Sequence, residues 1–139
     1  MSKKSLAFGK QQEFAAMAKL IGQGYDVYQT LVDDKGVDCV VRISPTKYWD
    51  VQVKARSKDS EYNTLFSAMS ITPRDNCVFV FYTEVNDTYW VIPSRDVVKL
   101  AIPNQRGKNR GKYSLRLPKS AAKPGRFARY RNSFAILGR

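Results

Sequence analysis

The sequence predicts an α/β domain, a mixed β-sheet flanked by helices. Three observations carry that expectation. A stretch with helical periodicity opens the chain, residues 37–43 and 48–55 read as two neighbouring strands, and residues 77–82 form an unbroken apolar run of the kind buried on both faces of a sheet. At 139 residues, 43% of them hydrophobic, the chain is long enough for one domain with a real core. We expect a single unit over 1–139, with a core over 1–96 and a basic extension over 97–139.

Taken in order, residues 5–21 predict a helix whose buried stripe is Phe14, Met17, Ala18 and Ile21, stopped by Gly22 and Gly24. Glu13 falls at the edge of that stripe, close in angle to Met17 and Leu20. Residues 25–32 read as a first strand, and Asp33-Asp34-Lys35-Gly36 as a polar turn. The hairpin of 37–43 and 48–55 follows, turned at Ser44-Pro45-Thr46. Residues 57–70 read as a loop and then a short helix over 64–70, and Thr72-Pro73-Arg74-Asp75 as a helix cap. The apolar run of 77–82 turns at 85–88 into a partner strand, 89–92, which Pro93 ends; Ser94 then caps a short helix through Leu100. Beyond Ile102, Pro and Gly punctuate a loop-rich region. Within it 113–117 alternates like an edge strand, and Phe127, Tyr130, Phe134 and Leu137 recur at the spacing of a terminal helix.

The hairpin holds the candidate chemistry. Alternation puts Cys39, Val41 and Ile43 on one face of the first strand and Asp38 and Arg42 on the other. In the second strand Trp49, Val51, Val53 and Ala55 form the apolar face, leaving Asp50, Gln52 and Lys54 opposite. Paired backbones lie about 4.8 Å apart, so Asp38, Gln52 and Lys54 can converge. Such a triplet is either the solvated face of a hairpin or a site for a hard cation. For Mg²⁺, oxygen ligands would come from the Asp38 carboxylate, the Gln52 amide and the Val53 carbonyl. Lys54 would then touch the attacking water or a phosphate oxygen. Asp33 and Asp34 are rival ligands by type, or solvated turn acids.

Asp38, then Gln52-Val53-Lys54 fourteen residues on, with Glu13 on an upstream helix, resembles the PD-(D/E)XK nuclease superfamily. Glu13 is the feature shared with the branch that resembles archaeal Holliday-junction resolvases, and the Gln-x-Lys form resembles a homing-endonuclease branch. The resemblance implies a restriction-endonuclease-like core that binds Mg²⁺, with Mn²⁺ as a substitute, and hydrolyses phosphodiester bonds in DNA. Asp38 would be the metal-binding acid, Gln52 would replace the usual second acid, Lys54 would be the motif lysine and Glu13 the helix glutamate, reaching the metal directly or through a water. Two departures stand out: Gln52 removes one negative charge, leaving the four groups at about −1, and Val37 stands where a proline precedes the motif Asp.

Charge supplies a second, independent signal. Residues 1–96 contain twelve Lys and Arg and twelve Asp and Glu, whereas residues 97–139 contain twelve Lys and Arg and no acid, so the whole +12 lies in the last third. A phosphate-rich partner fits that asymmetry; a basic membrane-surface segment or a solubilising tail are the alternatives. Candidate nucleic-acid contacts are Arg56 and Lys58 beside the motif, Arg106, Lys108, Arg110 and Lys112 in the Gly-flanked loop, and Arg126 and Arg129 near the end.

Several classes are excluded outright. The chain has no histidine, so Ser-His-Asp, Cys-His and His-zinc chemistries cannot be built, and no Gly-Lys-Ser/Thr loop marks a nucleotide enzyme. Cys39 and Cys77 sit in apolar runs as buried thiols. No apolar stretch reaches the roughly 18 residues of a membrane span, and no signal-peptide core is present, so a cytoplasmic protein is expected. Two cuts on opposite strands would suit a two-fold homo-oligomer. The alternatives to an endonuclease are a non-catalytic DNA-binding protein on the same fold and a subunit of a defence or restriction complex.

Overall fold

The computed structural model describes residues 3–32 and 36–138; Asp33 and Asp34 therefore lie outside the described residues. Helix α1 (Lys3–Gly22) leads into β1 (Asp26–Gln29), β2 (Cys39–Ser44) and β3 (Lys47–Arg56). After them come β4 (Leu65–Met69), β5 (Cys77–Thr83), β6 (Thr88–Pro93), helix α2 (Ser94–Leu100), β7 (Ile102–Pro103) and β8 (Tyr113–Arg116). The expected architecture is present: a five-stranded sheet in the order β1-β2-β3-β5-β6, with β4-β8-β7 as a separate three-stranded sheet. All pairings in the large sheet are antiparallel except β3 with β5. Every residue of β5 is buried, as its apolar run demands of a central strand.

Alternation along β5 and β6 divides the interior in two. Val78, Val80, Tyr82, Tyr89 and Val91 join Trp49 and Val51 of β3 in a core closed by Ala16, Met17 and Leu20 of α1. Phe79, Phe81, Trp90 and Ile92 face the other way, onto Phe66, Leu115 and Val97 from the small sheet and α2. The last third of the chain is built into both. Leu117, Phe127 and Tyr130 close the second core, while Phe134 and Leu137 lie in the first, where their carbonyls accept from Tyr25 Oη (2.8 Å) and Trp49 Nε1 (2.9 Å).

Seven local expectations are corrected. The buried stripe of α1 is Gln12, Ala16, Met17 and Leu20. Of the expected set only Met17 is covered, with Phe14 52% and Ile21 60% exposed and Ala18 exposed as well. Helical spacing is satisfied by either stripe, and the sheet takes the one centred on small Ala16. The first strand is shorter than 25–32, because the Thr30 hydroxyl turns back onto the carbonyls of Val37 (2.7 Å) and Asp38 (3.0 Å).

Residues 64–70 form no helix. They contain β4, where Ala68 at φ 56° makes a bulge. The bulge brings Phe66 and Met69 to one buried side, so an i, i+3 spacing that mimics a helix arises from an extra residue in a strand. No helix starts at 72–75 either. Arg74 ion-pairs with Asp50 at 2.7 Å, Asp75 pairs with Arg95, and Ser94 Oγ, rather than capping α2, donates to the Arg74 carbonyl (2.9 Å) and accepts from its N–H (3.0 Å).

The strand at 113–117 is the central strand of the small sheet, not an edge. The terminal helix is two 3-10 segments, Gly125–Tyr130 and Phe134–Gly138, separated by Asn132 at φ 49°. Asn132 exchanges bonds with the Tyr89 backbone (2.6 and 2.9 Å). Beside it Arg131 bridges Trp90, so this break covers the outer edge of β6.

Candidate active site

Antiparallel pairing of β2 with β3 runs through Val41↔Trp49, Val40↔Asp50 and Cys39↔Val51. There β2 begins, whereas β3 continues to Arg56 along β5 alone. Beyond Val51 the sheet is therefore forked, and Asp38 lies in the fork. Its N–H donates to the Val51 carbonyl at 2.9 Å, and its Oδ2 accepts the Val53 N–H at 2.7 Å, a charge-assisted bond that replaces the missing ladder. In a strand the N–H and C=O of one residue point to the same edge. The Val53 carbonyl therefore opens beside the Asp38 carboxylate, as the oxygen-ligand set requires.

Asp38 is only 8% exposed. Thr30 fixes its backbone through its N–H (3.3 Å) as well as its hydroxyl.

Gln52 pairs in register with Phe79, and Lys54 with Phe81, which places both on the face away from α1. With the Gln52 amide oriented to satisfy its neighbours, Nε2 donates to the Gly36 carbonyl and Oε1 accepts from Lys54 Nζ, each at 3.3 Å. Gly36 stands at φ +75°, and a Cβ there would come within 3.2 Å of the Gln52 amide. A left-handed glycine thus admits Gln52 beside the turn. Asp50, on the same face, is held by Arg74 and stands apart from the site.

Glu13 approaches from the α1 side. It shares a cavity of about 150 Å³ with Asp38, Lys10 and Thr30, and its side chain, 19% exposed, pairs with Lys10 at 3.1 Å. The two carboxylates are felt together by Cys39. Burial first, then the negative charges of Asp38 and Glu13, push its thiol up to about 12. From Glu13 a second, larger cavity of about 690 Å³ runs along the first turns of α1 to Arg56 and Ser57. Four of the predicted residues thus meet at one fork, with Glu13 across it on the helix. Thr30, Gly36 and Lys10 complete the site. Gly36 is marked in the sequence only as the end of a polar turn, and nothing local marks out Thr30 or Lys10, because their roles depend on the turn before β2 and on the packing of α1.

The candidate nucleic-acid residues divide by environment. Arg56 is committed to the fold: its Nε donates to the Leu65 carbonyl at 2.8 Å, its guanidinium lies 5.0 Å over the Phe66 ring, and burial lowers its pKa. Lys58 is exposed, its N–H held by Glu84 Oε1 at 3.0 Å. Arg106, Lys108 and Arg110 are exposed and Lys112 half-buried in the turn that joins β7 to β8. That turn is closed by Asn104 N–H to the Lys112 carbonyl (2.7 Å). Arg126 and Arg129 are exposed, each about 5.1 Å over the ring of the next residue, Phe127 and Tyr130.

As a cation site the fork offers oxygen atoms alone: the Asp38 carboxylate, the Val53 carbonyl, the Gln52 amide oxygen and, across the cavity, Glu13. That donor set suits Mg²⁺ or Mn²⁺ and no thiophilic metal. Among the described residues no three His, Cys, Asp or Glu side chains gather as a ready ligand group, so any such site depends on the amide and the backbone.

No protein-family model matches the chain, and no curated protein matches it. Among solved structures, a bacterial homing endonuclease, I-Ssp6803I, matches with a TM-score of 0.69 at 19% identity, covering 99% of this chain and 94% of the other. The chain therefore shares its fold with that structure over nearly its whole length. Among the described residues no helix is long and apolar enough to cross a membrane.

Proposed function

We propose that this chain is a metal-dependent endonuclease that hydrolyses phosphodiester bonds in DNA. The observation that carries the reading is the fork itself, with Asp38 bonded to the Val53 N–H at 2.7 Å and Gln52 and Lys54 side by side on one face of β3. Asp38, the Gln52 oxygen and the Val53 carbonyl would hold Mg²⁺ or Mn²⁺, with Glu13 as the acid across the cavity. When bound, the ion supplies Lewis-acid polarisation of a phosphate oxygen and a lower pKa for a water.

The chain's own groups do the rest. Lys54 places a positive charge where phosphate charge grows in the transition state. Glu13 orients water in the shared cavity. The turn at 106–112 and the segment at 126–129 neutralise phosphates of the bound DNA. The likeness to a homing endonuclease supports DNA as the substrate.

The test is cleavage of supercoiled plasmid, single-stranded DNA and a four-way junction with Mg²⁺ or Mn²⁺, by wild type, Asp38→Ala and Lys54→Ala. Metal-dependent cutting by wild type alone is expected. Salt-sensitive binding with no cutting by any of the three would end the catalytic reading.

A second reading, a non-catalytic DNA-binding protein, is favoured by the Lys10–Glu13 ion pair, in which an ammonium already balances the helix acid. Gln52→Glu separates the two. In a live site the added carboxylate shifts the Mg²⁺ concentration needed for half-maximal cutting, and in a pure binder it changes nothing.

A further inference from the structure

Away from the fork, a cavity of about 430 Å³ lies between the residue before β4, the end of β8 and the first 3-10 segment. It is an open depression on the surface rather than an enclosed pocket. Three features of its lining point to one kind of occupant. Leu117, Pro118, Pro124 and Phe127 give it apolar walls, and Arg116, Lys119 and Arg126 add three exposed cations with no acid among the lining residues. The third feature is Thr64. It is 1% exposed, and although its carbonyl accepts the Leu117 N–H at 2.9 Å, its hydroxyl has no hydrogen-bond partner among the described residues. Buried hydroxyls without partners are rare in native proteins and call for an explanation.

Apolar walls give a bare phosphate nothing to bind, and a purely apolar ligand would leave both the hydroxyl and the cations unused. A nucleotide answers all three features at once. We propose that this cavity receives one unstacked base of the bound nucleic acid. The base lies against the apolar walls and, on entering, uncovers the buried Thr64 hydroxyl and bonds to it through an edge atom, and its phosphate lies at Arg116, Lys119 and Arg126. The proposal rests on the nucleic-acid-binding part of the function proposed above, and it needs no catalysis.

The experiment measures equilibrium binding of the full chain, in EDTA so that no cutting intervenes. Two single-stranded oligonucleotides of equal length are compared, one carrying bases and one wholly abasic, with wild type and Thr64→Val. Valine keeps the shape of threonine and removes a partnerless hydroxyl, so the variant should melt at or above the wild-type temperature. Wild type should prefer the base-bearing strand by at least about twofold, the lower end of the share of one neutral hydrogen bond. Thr64→Val should lose roughly 2- to 12-fold in affinity for that strand, the range for one neutral hydrogen bond, with no change for the abasic strand.

Equal affinity of wild type for both strands, or an unaltered Thr64→Val, would overturn the base pocket while leaving nucleic-acid binding intact. Failure of wild type to bind either strand while it still binds a duplex of the same length would overturn the base pocket alone, and failure to bind the duplex as well would remove both.

Discussion

Asp38 performs two tasks in the fork, and a pair of substitutions separates them. Its carboxylate accepts the Val53 N–H at 2.7 Å from a position only 8% exposed. Asp38→Ala removes the acceptor and leaves that N–H stranded, a loss of about 2 kcal/mol for a hydrogen bond to a charged group. For a chain of 139 residues, unfolding entropy of about 0.3 kcal/mol/K converts this to a melting temperature lower by roughly 7 °C. Asp38→Asn keeps an oxygen acceptor for Val53 and removes a charge that shares a cavity with Glu13. Its melting temperature should lie within roughly 3 °C of wild type, in either direction.

Both variants lose the carboxylate that the proposed metal needs, so both should cut DNA at least about 100-fold more slowly. Calorimetry and plasmid cleavage on the same preparations give the comparison. An Asp38→Asn protein that melts normally and cuts at the wild-type rate would show that Asp38 only ties the fork together, and the catalytic assignment would be wrong.

Three further outcomes are expected. Gly36→Ala places a side chain at φ +75°, 3.2 Å from the Gln52 amide. It should cost about 1–2 kcal/mol of backbone strain and weaken cleavage by displacing Gln52, as urea melts and the plasmid assay would reveal; wild-type behaviour in both would mean that Gln52 is not held there.

Alkali should destabilise the fold. Cys39 and Tyr130 are pushed up to about 12, chiefly by burial, and Tyr82 is raised as well. The unfolded chain releases these protons from about pH 9 for cysteine and 10 for tyrosine, before the folded chain does. Stability should therefore be complete below pH 9 and fall towards pH 12, by up to about 1.4 kcal/mol per pH unit for each group. Urea midpoints that stay flat from pH 8 to 11 would contradict this.

Finally, Leu6, Phe14 and Ile21 lie exposed along α1, an apolar face suited to the expected homo-oligomer. Light scattering of wild type and of Phe14→Glu with Ile21→Lys should show an assembly that the double variant disperses. A monomeric wild type at all concentrations would end that expectation.

The sequence by itself carried the elements whose signals are local. The all-apolar run at 77–82 could only be a central strand, and the alternation of the hairpin already set Asp38, Gln52 and Lys54 on one side, because a period of two leaves no freedom once pairing is granted. Charge and the missing histidines, which do not depend on folding at all, left oxygen as the expected metal ligand and a phosphate-rich partner as one expectation among three.

What the tertiary structure decided was every choice between equivalent local patterns. The apolar residues of α1 offer two stripes of the same spacing, and only the surface of the sheet selects Ala16 over Phe14. Phe66 and Met69 have helical spacing, yet Ala68 bulges out of a strand that β8 must already be in place to pair. Phe127 to Leu137 repeats like a helix, but the open edge of β6 draws Asn132 into its backbone and breaks the run. Thr30 and Lys10 had no signature, and Gly36 none beyond the end of its polar turn, since each acts on a partner that is brought near only when β1, β2 and α1 have packed. A strand fixes where a side chain points along itself; which neighbour it meets there is settled by the assembled sheet.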